Sequence, residues 1–236
     1  MPEQGIVYSA TGEVYREEAC LSAKTVKQVM PEIPITLFSD KRPECEYIDT
    51  FEKINNPAYG YRDSISHLLD SPYDKNVYLD TDITLAADIS DLFSLLSRFD
   101  IAAKHDPVRT EREKVPLPEV PSAFPEFNLG LIAYRKSERT EKFINKWLEM
   151  YDDRDNKSVH DQPFFRKAAY ETDVRISTLP PEYNCQYAAY PGYVSGVVRV
   201  FHGRILDKEV IGDRYKYDPK DVVRKLNAST APRVYI

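Results

Sequence analysis

Two aspartates, Asp80 and Asp82, stand near the end of the apolar run "NVYLDTDITL" (residues 76–85), separated by a single threonine. In an extended chain alternate side chains share a side, which sets the two carboxylates about 6–7 Å apart and facing one space. A pair so placed can share a divalent cation. It can also divide into a nucleophile and an acid/base, as in phosphatases whose first motif reads apolar-D-x-D-x-T, a pattern this stretch matches as well. A second D-x-D, Asp153 and Asp155 in "EMYDDRDNKS", has no apolar lead and reads as a solvated loop. Far along the chain, His202 follows the apolar "GVVRV" where a strand should end, a position from which an imidazole can reach a site.

The elements that must position these groups alternate. "GIVYSATG" is a short strand, and "REEACLSAKTVKQVM" a helix with Ala19, Ala23, Val26 and Met30 on one face. "PITLFSD" and "EYIDTFEKI" are strands, "YRDSISHLLDS" a helix, and "PYDK" leads into the D-x-D strand. "DISDLFSLL" is a short helix, "FDIAAKHD" and "FNLGLIAYR" strands, "RTEKFINKWLEMY" a helix, and "HDQPFFRKAAYE" a helix after a polar turn. "VRISTLP", "YNCQYAAY" and "GVVRVFHG" are short strands and connections, and "DPKDVVRKLN" a terminal helix. This alternation implies an α/β fold with a mostly parallel central sheet and helices on both faces. Ligands of such sheets sit beyond the carboxyl ends of the strands, where Ser9–Gly12, Asp40 and Asp80–Asp82 all fall. The stretch from Pro107 to Glu126 carries five prolines and many charges after its first residues, and is expected to be a mobile cover over the site.

Length and composition narrow the classes. The 236 residues suit one domain with a sizeable core and are too few for two full α/β domains, so 1–236 is expected to be one domain, with a core over about 5–204 and an extension over 205–236. A net charge of −6 without a basic stripe argues against nucleic acid or an anionic membrane as partner, so an anionic substrate needs a metal or a few local cations. Three cysteines, Cys20, Cys45 and Cys185, show no C-x-x-C and favour a reducing compartment, the cytoplasm. There is no apolar leader and no run long enough to span a membrane, so the N-x-S triplets at Asn156 and Asn227 are expected to be unmodified.

In their order, "YRDSISHLLDSPYDKNVYLDTDITLAADISDLF", "FNLGLIAYR", "HDQPFF", "LPPEYNCQY" and "VFHG" resemble the landmarks of glycosyltransferase family 8, the glycogenin and bacterial galactosyltransferase-like group of retaining GT-A enzymes. The resemblance implies a GT-A fold and a sugar donor activated as a nucleotide diphosphate, most readily a UDP-sugar. It implies Asp80, Asp82 and His202 as ligands of Mn²⁺, or of Mg²⁺. It assigns Asn128 of "FNLG" and the Asp161–Gln162 pair to the reacting sugar, and Tyr8, Thr11, Arg62, Thr81, Gly130, Gly203 and Arg204 to the nucleotide sugar. The sequence departs from the family in two places. Glycine follows His202 directly, without the family's later K-P-W, which leaves Arg204 to replace a missing lysine at the diphosphate. Leu129 of "FNLG" stands where the family has a small polar residue. The acceptor, whether glycan, lipid, protein or small molecule, and the oligomeric state are not encoded in any motif.

Residue chemistry fits this reading, since a nucleotide diphosphate leaves only when its charge is neutralised, and a carboxylate-bound ion beside a cation provides that. An imidazole among the ligands favours Mn²⁺ over Mg²⁺. Each site residue also has a simpler role open to it: His202 as a partly buried histidine, Gly130 as a close backbone approach, Asp161 as a helix N-cap. Two further classes stay open. A haloacid-dehalogenase-like phosphatase would use Asp80 as nucleophile and take "GDRYKYD" (212–218) as its late metal motif, although strands precede the D-x-D and "FNLG", "HDQ" and "FHG" go unexplained. A non-catalytic sugar-nucleotide or glycan-binding module would keep the same residues.

Overall fold

The computed structural model describes residues 3–106, 117–153, 160–186, 194, 196–206, 220 and 224. The terminal helix "DPKDVVRKLN" except Lys220 and Arg224, the "GDRYKYD" motif, Asp155, Asn156, Asn227 and residues 107–116 of the expected cover lie outside them.

The described residues form a seven-stranded sheet whose order follows the chain only in part. Its strands are β1 (Gln4–Ser9), β2 (Ile35–Ser39), β3 (Thr50–Lys53), β4 (Lys75–Leu79), β6 (Ile101–His105), β7 (Phe127–Arg135) and β8 (Ile176–Leu179), in the order β3-β2-β1-β4-β7-β6-β8. Every neighbouring pair is parallel except those made by β7, which runs antiparallel to both β4 and β6. Strands covered on both faces need apolar side chains on both, and β2 is buried at every position while β1 is buried over its central residues and β4 from its second residue to its end.

One face of the sheet packs on α1 (Glu13–Val29) and α3 (Asp91–Leu95), through Ala19, Ala23, Val26, Leu92 and Phe93 against Ile6, Leu37 and Val77. On the other face lie α2 (Tyr61–His67), α4 (Glu138–Asp152) and α5 (Gln162–Glu171). Helix α4 starts where the Ser137 side chain accepts from the Thr140 amide, and its stripe of Phe143, Ile144, Trp147 and Tyr151 is buried against Phe164 and Phe165 of α5.

A second, three-stranded sheet crosses the C-terminal edge. It consists of β5 (Ile83–Leu85), β9 (Cys185–Gln186) and β10 (Val200–His202), in the order β5-β10-β9. Its presence corrects one expectation. The run through Asp80–Asp82 is not one extended strand: the Ile83 amide returns to the Asp80 carbonyl, closing a turn that carries the chain out of the large sheet into the small one. The last part of the expected cover is also not loose, because the buried Arg166 donates to the carbonyls of Val120, Pro121 and Phe124. No described helix is long and apolar enough to cross a membrane.

Candidate active site

The carboxyl ends of β1, β4 and β6 and the start of the antiparallel β7 meet at one edge, where a cleft of about 620 Å³ opens. Asp80, Thr81, Asp82, Asn128, Gly130, Asp161, Gln162, His202 and Arg204 all line it, as do Ser9 to Thr11 of the first loop.

At its floor, Asp80, Asp82 and His202 each offer one ligand atom, and those atoms all lie within 4.8 Å of one another. His202 Nε2 is 3.5 Å from an Asp82 oxygen and 3.9 Å from one of Asp80. Three features of the chain bring them together. The turn at 80–82 presents both carboxylates, and β10 pairs antiparallel with β5 so that His202 stands opposite Ile83. The pairing extends one step, as the Gly203 amide donates to the Asp82 carbonyl; at a φ of +119° this position favours glycine. Third, Gly130 on β7 leaves the space the imidazole fills: a Cβ there would lie 2.2 Å from His202 Cε1. The close approach at Gly130 is thus to a side chain.

Burial, followed by the charge of Asp82, pushes the Asp80 carboxyl up to about 7, although Tyr78 donates to it at 2.9 Å. Two carboxylates and an imidazole whose ligand atoms lie within 4.8 Å of one another form a donor set suited to a divalent transition metal, and a cation there would relieve the repulsion.

Beside the cluster, Glu18 of α1 accepts from both Thr81 and Arg204, at 3.0 and 2.7 Å. Arg204 is therefore anchored on the cleft wall next to the carboxylates. Thr11 is tied to the buried Asp63 of α2, which also receives the Ala58 and Tyr59 amides. Asp40 lies outside the cleft lining; it binds the Gly12 amide and Arg16 and so fixes the first loop.

The end of the cleft beyond the carboxylates holds Asn128, Asp161 and Gln162. Both hydrogens of the Gln162 amide are taken, one by Asp106 and one by the Phe127 carbonyl, so this side chain presents its oxygen to the cleft. Asp161 makes no side-chain cap to α5; its carbonyl instead receives the Phe164 and Phe165 amides and the Trp147 indole. Asp161 holds the N-cap position through its backbone carbonyl, while its side chain does not cap the helix.

Two residues assigned from the resemblance are placed elsewhere. Tyr8 is fully buried in the core with its hydroxyl bonded to Ser22, because the side chain of an inward position on β1 cannot turn out to the loop. Arg62 faces away on α2, forked onto Asp152 of α4 at 2.9 Å, while its neighbour Asp63 takes the inward position. Conversely, the sequence reading passed over Asp106, Asn184, Glu18, and the rim residues Tyr15, Tyr61 and His160. Asp106 could have been found, since it ends a strand at the same edge as Asp40 and Asp80.

Against known proteins, the description "Glycosyl transferase family 8" matches residues 23–202, more than half of the sequence. The chain belongs to this family. Solved structures with a similar fold include the glycosyltransferase GlyE of Streptococcus pneumoniae TIGR4 (16% identity, TM-score 0.64, covering 98% of this chain and 65% of that one). They also include the galactosyltransferase LgtC, in complex with donor and acceptor sugar analogs (15%, 0.58, 98% of both chains), and mouse xyloside xylosyltransferase 1 (14%, 0.60, 86% and 98%). This chain thus spans just under two thirds of GlyE and nearly all of LgtC. Among curated proteins, none matches the sequence. Membership of the family removes the phosphatase alternative.

Proposed function

We propose that the protein is a metal-dependent glycosyltransferase that moves a sugar from a nucleotide-diphosphate donor, a UDP-sugar, to an acceptor with retention at the anomeric carbon. The observation that carries this reading is the Asp80–Asp82–His202 cluster at the C-terminal sheet edge of a family 8 chain. Those three residues would hold Mn²⁺, or Mg²⁺, which when bound supplies Lewis-acid neutralisation of the diphosphate. Arg204, held by Glu18, adds a second positive charge beside the same phosphates. Thr11, Thr81 and Gly130 line the donor side of the cleft, and Gly203 lines a small neighbouring pocket with Thr81, Asp82 and Arg204. Asn128 and the Asp161–Gln162 pair face the sugar, where the Gln162 oxygen is an acceptor for a sugar hydroxyl. Exposed Tyr15 on the rim offers a flat surface for the base. Retention and the UDP preference rest on the family resemblance. The three cysteines are free, in keeping with a reducing compartment such as the cytoplasm.

A panel of nucleotide sugars assayed with Mn²⁺, Mg²⁺ and EDTA tests the proposal, reading release of nucleotide diphosphate together with thermal stabilisation. Metal-dependent release from a UDP-sugar is expected. Metal-dependent binding without release under any acceptor supplied would instead mark a non-catalytic binding module.

A further inference from the structure

Four polar side chains run in one line away from the cluster, and each is bonded in a direction that the next must obey. Asp106 Oδ2 accepts from Asn128 Nδ2 at 3.2 Å. Asn128 Oδ1 accepts from Asn184 Nδ2 at 2.8 Å, and Asn184 Oδ1 lies 2.9 Å from His202 Nδ1. Asp106, Asn128 and Asn184 are buried, Asn184 completely, so water cannot substitute for a missing partner. A backbone amide only donates, and the Gly130 N–H donates to Asn128 Oδ1 at 3.2 Å, which fixes that atom as the oxygen. Asn128 must therefore turn its amide NH₂ toward Asp106 and its oxygen toward Asn184. Asn184 must donate to that oxygen, which leaves its own oxygen facing the imidazole. His202 can meet that oxygen only by donating, so its proton sits on Nδ1 and the lone pair sits on Nε2, the atom that faces Asp80 and Asp82.

We infer that Asn184 is a positioning residue for the metal centre: anchored through Asn128 on Asp106, it locks His202 in the Nδ1–H tautomer and so presents Nε2 as a ligand. The inference rests on the reading of the site as a metal centre. It also means that the amide assigned to the sugar, Asn128, lies in the same bonded line as the metal ligand, so the two ends of the cleft are held by one network.

The test compares Asn184→Leu, which keeps the volume and removes both bonds, with Asn184→Asp, which keeps the acceptor for His202 and loses the donor to Asn128. Long-range ¹H–¹⁵N correlation on metal-free protein, at a pH where the ring is neutral, reads the tautomer. Mn²⁺ alone, titrated by the electron paramagnetic resonance of the free ion, reads affinity. Wild type should carry the proton on Nδ1. Asn184→Leu should lose that preference and bind Mn²⁺ about 10- to 100-fold more weakly. Asn184→Asp should keep the proton on Nδ1, because the acceptor remains, and should bind Mn²⁺ with an affinity between those of wild type and Asn184→Leu, because the anchor on Asn128 is lost. A purely packing role predicts the reverse order, with Leu tolerated and the buried charge harmful, and that result would overturn the inference. So would a wild-type His202 protonated on Nε2, a measurement that decides even if Asn184→Leu fails to fold. If wild type bound no Mn²⁺, the metal reading would fall, while the tautomer spectrum would still support or overturn the relay.

Discussion

Replacing Asp80 by Asn should make the metal-free protein more stable, although it disables the site. In the cleft the Asp80 carboxyl is pushed from its ordinary 3.8 to about 7, first by burial and then by the charge of Asp82. A group whose pKa is higher folded than unfolded binds its proton more tightly in the folded state. Stability therefore falls as pH rises from about 4 to about 7, and the deficit is complete above that window. Fully shielded, a displacement of this size corresponds to about 4 kcal/mol. The side chain is 39% exposed, and solvent screening reduces this to about 1–2 kcal/mol. Asparagine keeps the size of the side chain and an oxygen for the Tyr78 hydroxyl but carries no charge. For a chain of this length each kcal/mol is worth about 2–4 °C, so Tm in EDTA at neutral pH should rise by about 2–8 °C. The difference should vanish near pH 4 (about the ordinary carboxylate pKa). Scanning fluorimetry over a pH series checks this. Saturating Mn²⁺ should then invert the order, because only the wild type gains the free energy of binding. If Asp80→Asn is no more stable than wild type in EDTA at any pH, the electrostatic account of the cluster is wrong.

Gly130→Ala should weaken Mn²⁺ binding while folding persists, since the new methyl displaces the His202 ring; overpacking at such a contact costs about 1–3 kcal/mol, measurable by urea unfolding. The Cys45 thiol is drawn down to about 7 because it accepts hydrogen bonds from Cys20 and from the Tyr47 and Ile48 amides, so its alkylation rate should climb through about pH 7, and Cys20→Ala should move that midpoint upward. Arg62→Ala should leave metal-dependent nucleotide affinity intact and cost no more than about 1 kcal/mol of stability, because its partner is Asp152 and both are exposed; calorimetric affinity that falls tenfold would return Arg62 to the site.

The sheet was legible because its strands carry near-continuous apolar runs; the reading of "FNLGLIAYR" coincides with β7 from Phe127 to Arg135. The helical stripe Ala19, Ala23 and Val26 is buried as its spacing requires. The D-x-D and His202 could be picked out because both end apolar runs, and strand ends face the ligand edge in this architecture. Side-chain direction within an element was less readable. Arg62 and Asp63 are adjacent, and only the packing of α2 on the sheet decides which turns inward. Tyr8 lies one residue before the loop, yet that one residue places its ring in the core. The Asp106–Asn128–Asn184–His202 line was not readable either, because its members come from separate stretches of the chain, with Asn128 and Asn184 56 positions apart. Nothing local marks Asn184 as the partner of an imidazole.

The central claim is that Asp80 and Asp82 hold a metal that carries the donor diphosphate. Isothermal titration of UDP into wild type and Asp82→Asn, each with Mn²⁺ and with EDTA, tests it most directly. Asp82 lines the cleft within ligand reach of Asp80 and His202, and the Asn variant removes a charged ligand with little change of shape. Wild type should bind UDP with Mn²⁺ and lose that binding in EDTA, and folded Asp82→Asn should lose the metal-dependent component. Undiminished Mn²⁺-dependent UDP binding by Asp82→Asn would contradict the account.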